Sequence, residues 1–209
     1  MNNKVGTIPV RVQTIQDKYH SVLESDAYLS NNLAEIERCA AEAMQIVQEN
    51  LSQLRPIQME QVYVAPRVAE AIRAAQLPSG VQVKIKGLEH LPMVIAGGQS
   101  LTFMFKNLIE NAVEAMQGKG VITIHGQKIP GKVEIVVGDS GPGISPELHD
   151  KIFELEFSGE GGVRAGKMGF GLWWVKNLMT RLGGSVIVES DGEHGTTFRL
   201  QLPSVEHNL

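Results

Sequence analysis

Three stretches of this chain carry residue types able to do chemistry, and each is rich in glycine or amide. The first is Asp139-Ser-Gly141-Pro-Gly143-Ile144, directly after the strand-like run VEIVVG over 133–138. A carboxylate at a strand end, followed by two glycines, can take a flat ligand against bare backbone. Asp139 would then accept a hydrogen bond from an exocyclic amine such as that of adenine. The plainer reading is an Asx turn that ends the strand. The second is 159–176, GEGGVRAGKMGFGLWWVK, which runs from glycines into a helical pattern. Free N–H groups and the helix dipole make such an entry a cradle for phosphate. Arg164 and Lys167 add positive charge. The plainer reading there is an irregular surface loop. Neither a Walker loop nor a Rossmann turn matches the spacing.

The third stretch is 105–116, FKNLIENAVEAM. Leu101, Phe105, Leu108, Ala112 and Ala115 recur at helical spacing. Asn107 and Asn111 lie four apart on one side, although asparagine is a poor helix former. Both amides can simply solvate an exposed face. They also offer oxygen to a hard cation, and Mg²⁺ takes oxygen ligands while keeping several waters. Beside phosphate oxygens, Asn111 is the candidate metal ligand and Asn107 a second contact.

These residues need elements to hold them. Val5, Ile8, Val12, Ile15, Tyr19 and Val22 step by three and four, and so do Leu33, Ile36, Ala40, Ala43 and Val47 after the polar break at 24–26. The pattern predicts a helical hairpin over 1–57. Its narrow stripes want a partner, most simply a second copy completing a four-helix bundle; packing against the rest of the chain is the alternative. Pro9 should kink the first helix or mark its start, and Pro56 closes the second. Beyond it, 58–209 reads as a strand over 59–65, a helix with Pro66 in its first turn running to about Gln76, a strand in VQVKIKG and a helix from about Gln99 to Gln117. Two strands joined at Pro130-Gly131 follow, then a helix from Gly169 to Leu182 and a hairpin across Asp191-Gly192. The fold class is α+β: the hairpin, then a two-layer sandwich of helices on a mostly antiparallel sheet.

Net charge is -4, which leaves no basic footprint for nucleic acid. Cys39 stands alone, so no intramolecular disulfide forms. No apolar run is long enough to span a bilayer and no leader-like segment opens the sequence, so no membrane contact and a cytoplasmic setting are expected.

Taken jointly and in order, the motifs resemble those of sensor histidine kinases. Asn107-Leu-Ile-Glu-Asn111-Ala112 is similar to the N box, and Asp139-Ser-Gly141-Pro-Gly143 to the G1 box. Ile152–Phe157 resembles the F box, Gly166-Lys-Met-Gly169-Phe170-Gly171-Leu172 the G2 box, and Gly195-Thr196-Thr197-Phe198 the G3 box. The wider group is the GHKL ATPases with the Bergerat ATP-binding fold. The resemblance implies ATP and magnesium as cofactors. Asn111 would hold Mg²⁺ with Asn107 assisting, and Asp139 would read the adenine amine, supported through water by Thr196. Gly141, Gly143 and Ile144 would close on the base. Lys167, Gly169, Phe170, Gly171 and Leu172 would meet the phosphates under a lid at about 158–168, anchored by Phe153 and Phe157.

The resemblance also implies a homodimer through the N-terminal helices, and transfer of phosphate from a histidine to an aspartate of a response-regulator receiver domain. Hydrolysing members of the group carry glutamate where this chain has Asn107; an amide cannot accept the proton of water, so slow ATP hydrolysis is implied. Two departures stand out. Lys167 and Met168 replace residues usual in G2, and no His-Glu or His-Asp pair occurs near the start of the first helix. His20 precedes Ser21 late on the first helix, so the acceptor histidine is expected upstream, with His20 as the fallback. The alternative reading is a nucleotide-binding regulator without kinase activity.

Overall fold

The computed structural model describes residues 8–19, 23, 26, 28–36, 38, 57–154 and 170–205. By its contacts the chain divides into two compact units, Met1–Pro56 and Ile57–Leu209. In the first, α1 (Ile8–Lys18) includes Pro9, and residues 1–7 lie outside the described residues. A second helical run, α2 (28–36), begins just past Asp26. The Asp26 carboxylate accepts the N–H groups of Tyr28 and Leu29 at 3.0 and 3.1 Å, an N-cap that explains the polar break. His20 and the stripe from Ala40 to Leu54 lie outside the described residues.

The second unit runs β1 (Glu60–Val62), α3 (Val64–Ala74), β2 (Gly80–Lys86), β3 (Val94–Ala96), α4 (Gly98–Ala115), β4 (Lys119–Ile129) and β5 (Lys132–Asp139). Two short 3-10 turns at Pro146–Leu148 and Lys151–Phe153 follow, then α5 (Phe170–Arg181), β6 (Ser185–Glu189) and β7 (Thr196–Pro203). The main sheet has the order β2-β4-β5-β7-β6. All its pairs are antiparallel except β2 with β4, which is parallel because the chain crosses over through α4 between them. The strand expected over 59–65 is shorter. Helix α3 starts at Val64, with Pro66 in the first turn, where its missing N–H costs nothing. Strand β3 pairs antiparallel with β1 and had no pattern to announce it, being three residues long.

Alternation in the strands sets the layers. Val133, Ile135 and Val137 of β5 face the helices, as do Phe198, Leu200 and Leu202 of β7. Helix α4 answers with Leu101, Met104, Phe105, Leu108, Ile109 and Ala112, and α5 with Trp174, Val175, Leu178 and Met179, all buried. Of the two tryptophans, Trp174 is buried edge-on to Phe103, and Trp173 is half-buried. Ala115 is exposed; the adjacent Met116 is the residue that closes the stripe.

On the opposite sheet face Glu134 is buried beneath its neighbours, accepting from Gln127 (2.7 Å), Gln201 (2.9 Å) and Arg199 (3.0 Å). The Gln201 hydrogen bond leads the effects that hold its carboxyl below the usual glutamate range, with Gln127 and Arg199 adding to it against the cost of burial. Its stabilisation is therefore present above the ordinary glutamate pKa and is lost as pH falls through the lowered value.

Since α4 carries both the largest part of the core and the two amides, its seating is directly testable. Leu108→Ala is expected to cost about 2–5 kcal/mol, the range for a large-to-small change at a fully buried site. Urea denaturation of the full chain, followed by tryptophan fluorescence, measures it; a loss below about 0.5 kcal/mol contradicts this packing.

Candidate functional site

Asp139 ends β5, and its carboxylate is half-buried at the mouth of the core. Oδ1 accepts the Gly141 N–H at 2.8 Å. Burial raises its pKa above the usual aspartate value, and the backbone N–H groups of Gly141 and Thr196 oppose that rise. Thr196 is buried and pairs directly with Asp139 across β5 and β7. The remaining acceptor capacity of the carboxylate matches a ligand that donates an N–H.

The glycines around it are steric requirements. A Cβ on Gly141 would stand 2.8 Å from Asp139 Oδ1, and one on Gly195 would overlap the Asp139 carbonyl oxygen. Gly143 and Gly195 adopt φ of +87° and +71°, a region costly for residues with a Cβ. Ile144 is half-buried against the core, and its N–H donates to Ser190 Oγ at 2.9 Å. The G1-like loop is thus a shaped wall, and the plain Asx-turn reading accounts for only its first bond.

Asn107 and Asn111 both lie on α4, half-buried. Asn107 Nδ2 donates to the Phe103 carbonyl at 3.1 Å, which fixes the amide and leaves Oδ1 outward. That oxygen lies against the start of α5: a Cβ on Gly171 would be 3.1 Å from it. Asn111, one turn on, makes no side-chain hydrogen bond among the described residues, so its amide oxygen is available to a hard cation. At the far end of α4, Ala115 Cβ lies 3.4 Å from where a Gly141 Cβ would be. The eight residue steps from Asn107 to Ala115 span about 12 Å of helix. One helix therefore connects Asn107, beside the first turn of α5, to a carboxylate in a glycine wall.

Gly171 and Leu172 occupy the first turn of α5, whose leading N–H groups have no partner within the helix. Phe170 opens that helix. Phe153 is buried edge-on against Phe198, with Lys176 Nζ 5.3 Å above its ring. Lys167, Gly169, Phe157 and the lid expected over 158–168 lie outside the described residues. One feature escaped the sequence reading: Ser190, an ordinary turn residue by type, joins two loops.

A family model for histidine kinase-, DNA gyrase B- and HSP90-like ATPases matches residues 97–206, which run from the start of α4 past the end of β7. This chain belongs to that family. Its ATP-binding unit has the Bergerat type of fold, and curated relatives are sensor histidine kinases. The sensor histidine kinase ZraS of Escherichia coli is 34% identical over 123 residues, covering 59% of this chain and 26% of that protein. The sensory histidine kinase/phosphatase NtrB of Rhodobacter capsulatus is 30% identical over 180 residues, covering 77% of this chain and 48% of its own length. The chain thus spans between a quarter and a half of these two relatives. Among solved structures, the histidine kinase ThkA in complex with the response regulator protein TrrA superposes with a TM-score of 0.62 at 21% identity, over 97% of this chain and 59% of that one.

Two expectations follow for a family member built this way. Because burial raises the Asp139 pKa, the ionised carboxylate costs folding stability at neutral pH, and that cost is relieved as pH falls through the raised value. Asp139→Asn should accordingly leave thermal stability at pH 7 equal or higher while weakening ADP by at least about tenfold, because an amide N–H would face the adenine amine. Parallel melting curves and calorimetric titrations check it; unchanged ADP affinity refutes the assignment of Asp139. Gly171→Ala puts a methyl against Asn107 Oδ1 and should weaken Mg-ATP while sparing adenosine, measured by competition binding.

Proposed function

We propose that this chain is the ATP-binding catalytic region of a protein-histidine kinase in two-component signalling. It passes the γ-phosphate of ATP to a histidine, and from there to an aspartate of a response-regulator receiver domain. The observation that carries the kinase reading is Asn107: its fixed amide lies beside the start of α5, where a water-activating carboxylate would favour hydrolysis instead. Catalysis then rests on positioning and charge. Asp139 accepts the adenine amine, the Gly141 and Gly143 backbone closes on the base, and the first turn of α5 turns its N–H groups to the phosphates. Asn111 supplies an oxygen to Mg²⁺, with Asn107 assisting; the ion, when bound, neutralises charge between phosphate oxygens. An imidazole nitrogen forms the new bond to the γ-phosphorus as the bond to the ADP oxygen breaks.

Residues 1–57 serve as a dimerisation and phosphotransfer-like hairpin and 58–209 as the catalytic domain. Support for a homodimer comes from the apolar residues left exposed on α1 and α2, Ile15 and Ile36 among them. The receiver-domain partner is supported by the complex of ThkA with TrrA. No helix among the described residues is long and apolar enough to cross a membrane, and ATP chemistry of this kind belongs in the cytoplasm. The acceptor histidine lies upstream of this chain. The absence of a His-Glu or His-Asp pair near the start of the first helix favours one other reading, a nucleotide-binding regulator.

Incubating the full-length protein with γ-labelled Mg-ATP separates the two. Acid-labile, alkali-stable protein phosphate that Asn111→Ala abolishes is the expected outcome. Tight nucleotide binding without label supports the regulator instead.

A further inference from the structure

Ser190 sits at the end of β6, far in sequence from the motifs, yet it holds two of them together. Its Oγ accepts the Ile144 N–H at 2.9 Å and donates to the Gly195 carbonyl at 2.6 Å. One hydroxyl thus uses both its donor and an acceptor site to join the wall after Gly143 to the residue before Thr196. A backbone bond closes the ring, from the Gly195 N–H to the Gly141 carbonyl at 2.7 Å. Room for this clasp is provided by missing side chains. A Cβ on Gly143 would lie 2.9 Å from Ser190 Oγ, and one on Gly192 would lie 3.3 Å from Ser145 Cα.

The turn being clasped is itself ordered. Asp191 Oδ1 accepts the N–H groups of Glu193 and His194, each at 2.8 Å, so the loop offers a fixed edge to the clasp.

The clasp bears on one group in particular. The two backbone N–H groups that favour the ionised Asp139 carboxylate come from opposite sides of this junction, Gly141 from one loop and Thr196 from the other. Their separation fixes the direction in which the remaining carboxylate lone pairs point. We propose that Ser190 is a positioning residue for base recognition: by pinning Ile144 to Gly195 it sets the orientation of Asp139 toward an exocyclic amine, and so sets the preference for adenine over a purine lacking that amine. This rests on the ATP-binding reading above.

The test compares ADP with inosine diphosphate, which carries an oxygen where adenine has its amine, on the full chain by calorimetric titration. Ser190→Ala is expected to lower the ADP-over-IDP preference by about tenfold, the order of two net hydrogen bonds lost. Ser190→Thr, which keeps the hydroxyl, is expected to restore it. Equal weakening of both nucleotides, or an unchanged preference in Ser190→Ala, overturns the proposal and leaves Ser190 a structural residue. Should Ser190→Ala fail to fold, Ser190→Cys, with a weak thiol donor, is expected to show an intermediate preference, and a wild-type preference in it overturns the proposal. Failure of the unaltered chain to bind either nucleotide is a different result: it removes the ATP-binding reading itself.

Discussion

A half-buried carboxylate is costly to ionise, and the architecture around Asp139 offsets part of that cost with backbone N–H groups. Desolvation works against its charge. Gly141 and Thr196 oppose that effect, and they do so only because β5 and β7 pair in the register that sets Asp139 opposite Thr196. The glycines at 141 and 195 exist to let backbone come this close. The sheet order, the hairpin register and the glycine positions are therefore one constraint seen at three scales.

Helix α4 transmits that constraint along the site. Its apolar face is locked into the core by six buried side chains, so its polar face has no freedom to rotate. Asn107 is held by its own helix through Phe103 and sits beside the first turn of α5, while Ala115 abuts the glycine wall. Asn107 and the glycine wall, about 12 Å apart along one rigid rod, have a spacing that suits the proposed nucleotide.

Much of this was legible from the residues. Helix α4, the β4–β5 and β6–β7 hairpins and the helix after the second glycine loop all show strong periodicity with turn residues at their ends, and the structure has each of them. Strand β3 was invisible because three residues make no alternation, and its pairing with β1 is a long-range matter. Nor did local pattern show that β2 joins β4 in parallel, since parallel pairing is decided by a crossover and not by either strand. Pro66 was legible as a first-turn residue of α3, and it stands third in that helix, where no intrahelical N–H bond is lost. Within the site, motif residues with distinctive types were found and Ser190 was not. A serine before Asp-Gly carries the same signal as any turn, and its partners, Ile144 and Gly195, become neighbours only when the loops meet.

Asp139, in its glycine-lined wall, is the group proposed to select adenine nucleotides. Calorimetric titration of the full chain with ADP and, separately, with GDP measures that most directly. The account predicts saturable binding of ADP at one site per chain, with GDP giving far weaker heat. Equal binding of the two bases, or no heat from ADP with well-folded protein, contradicts it.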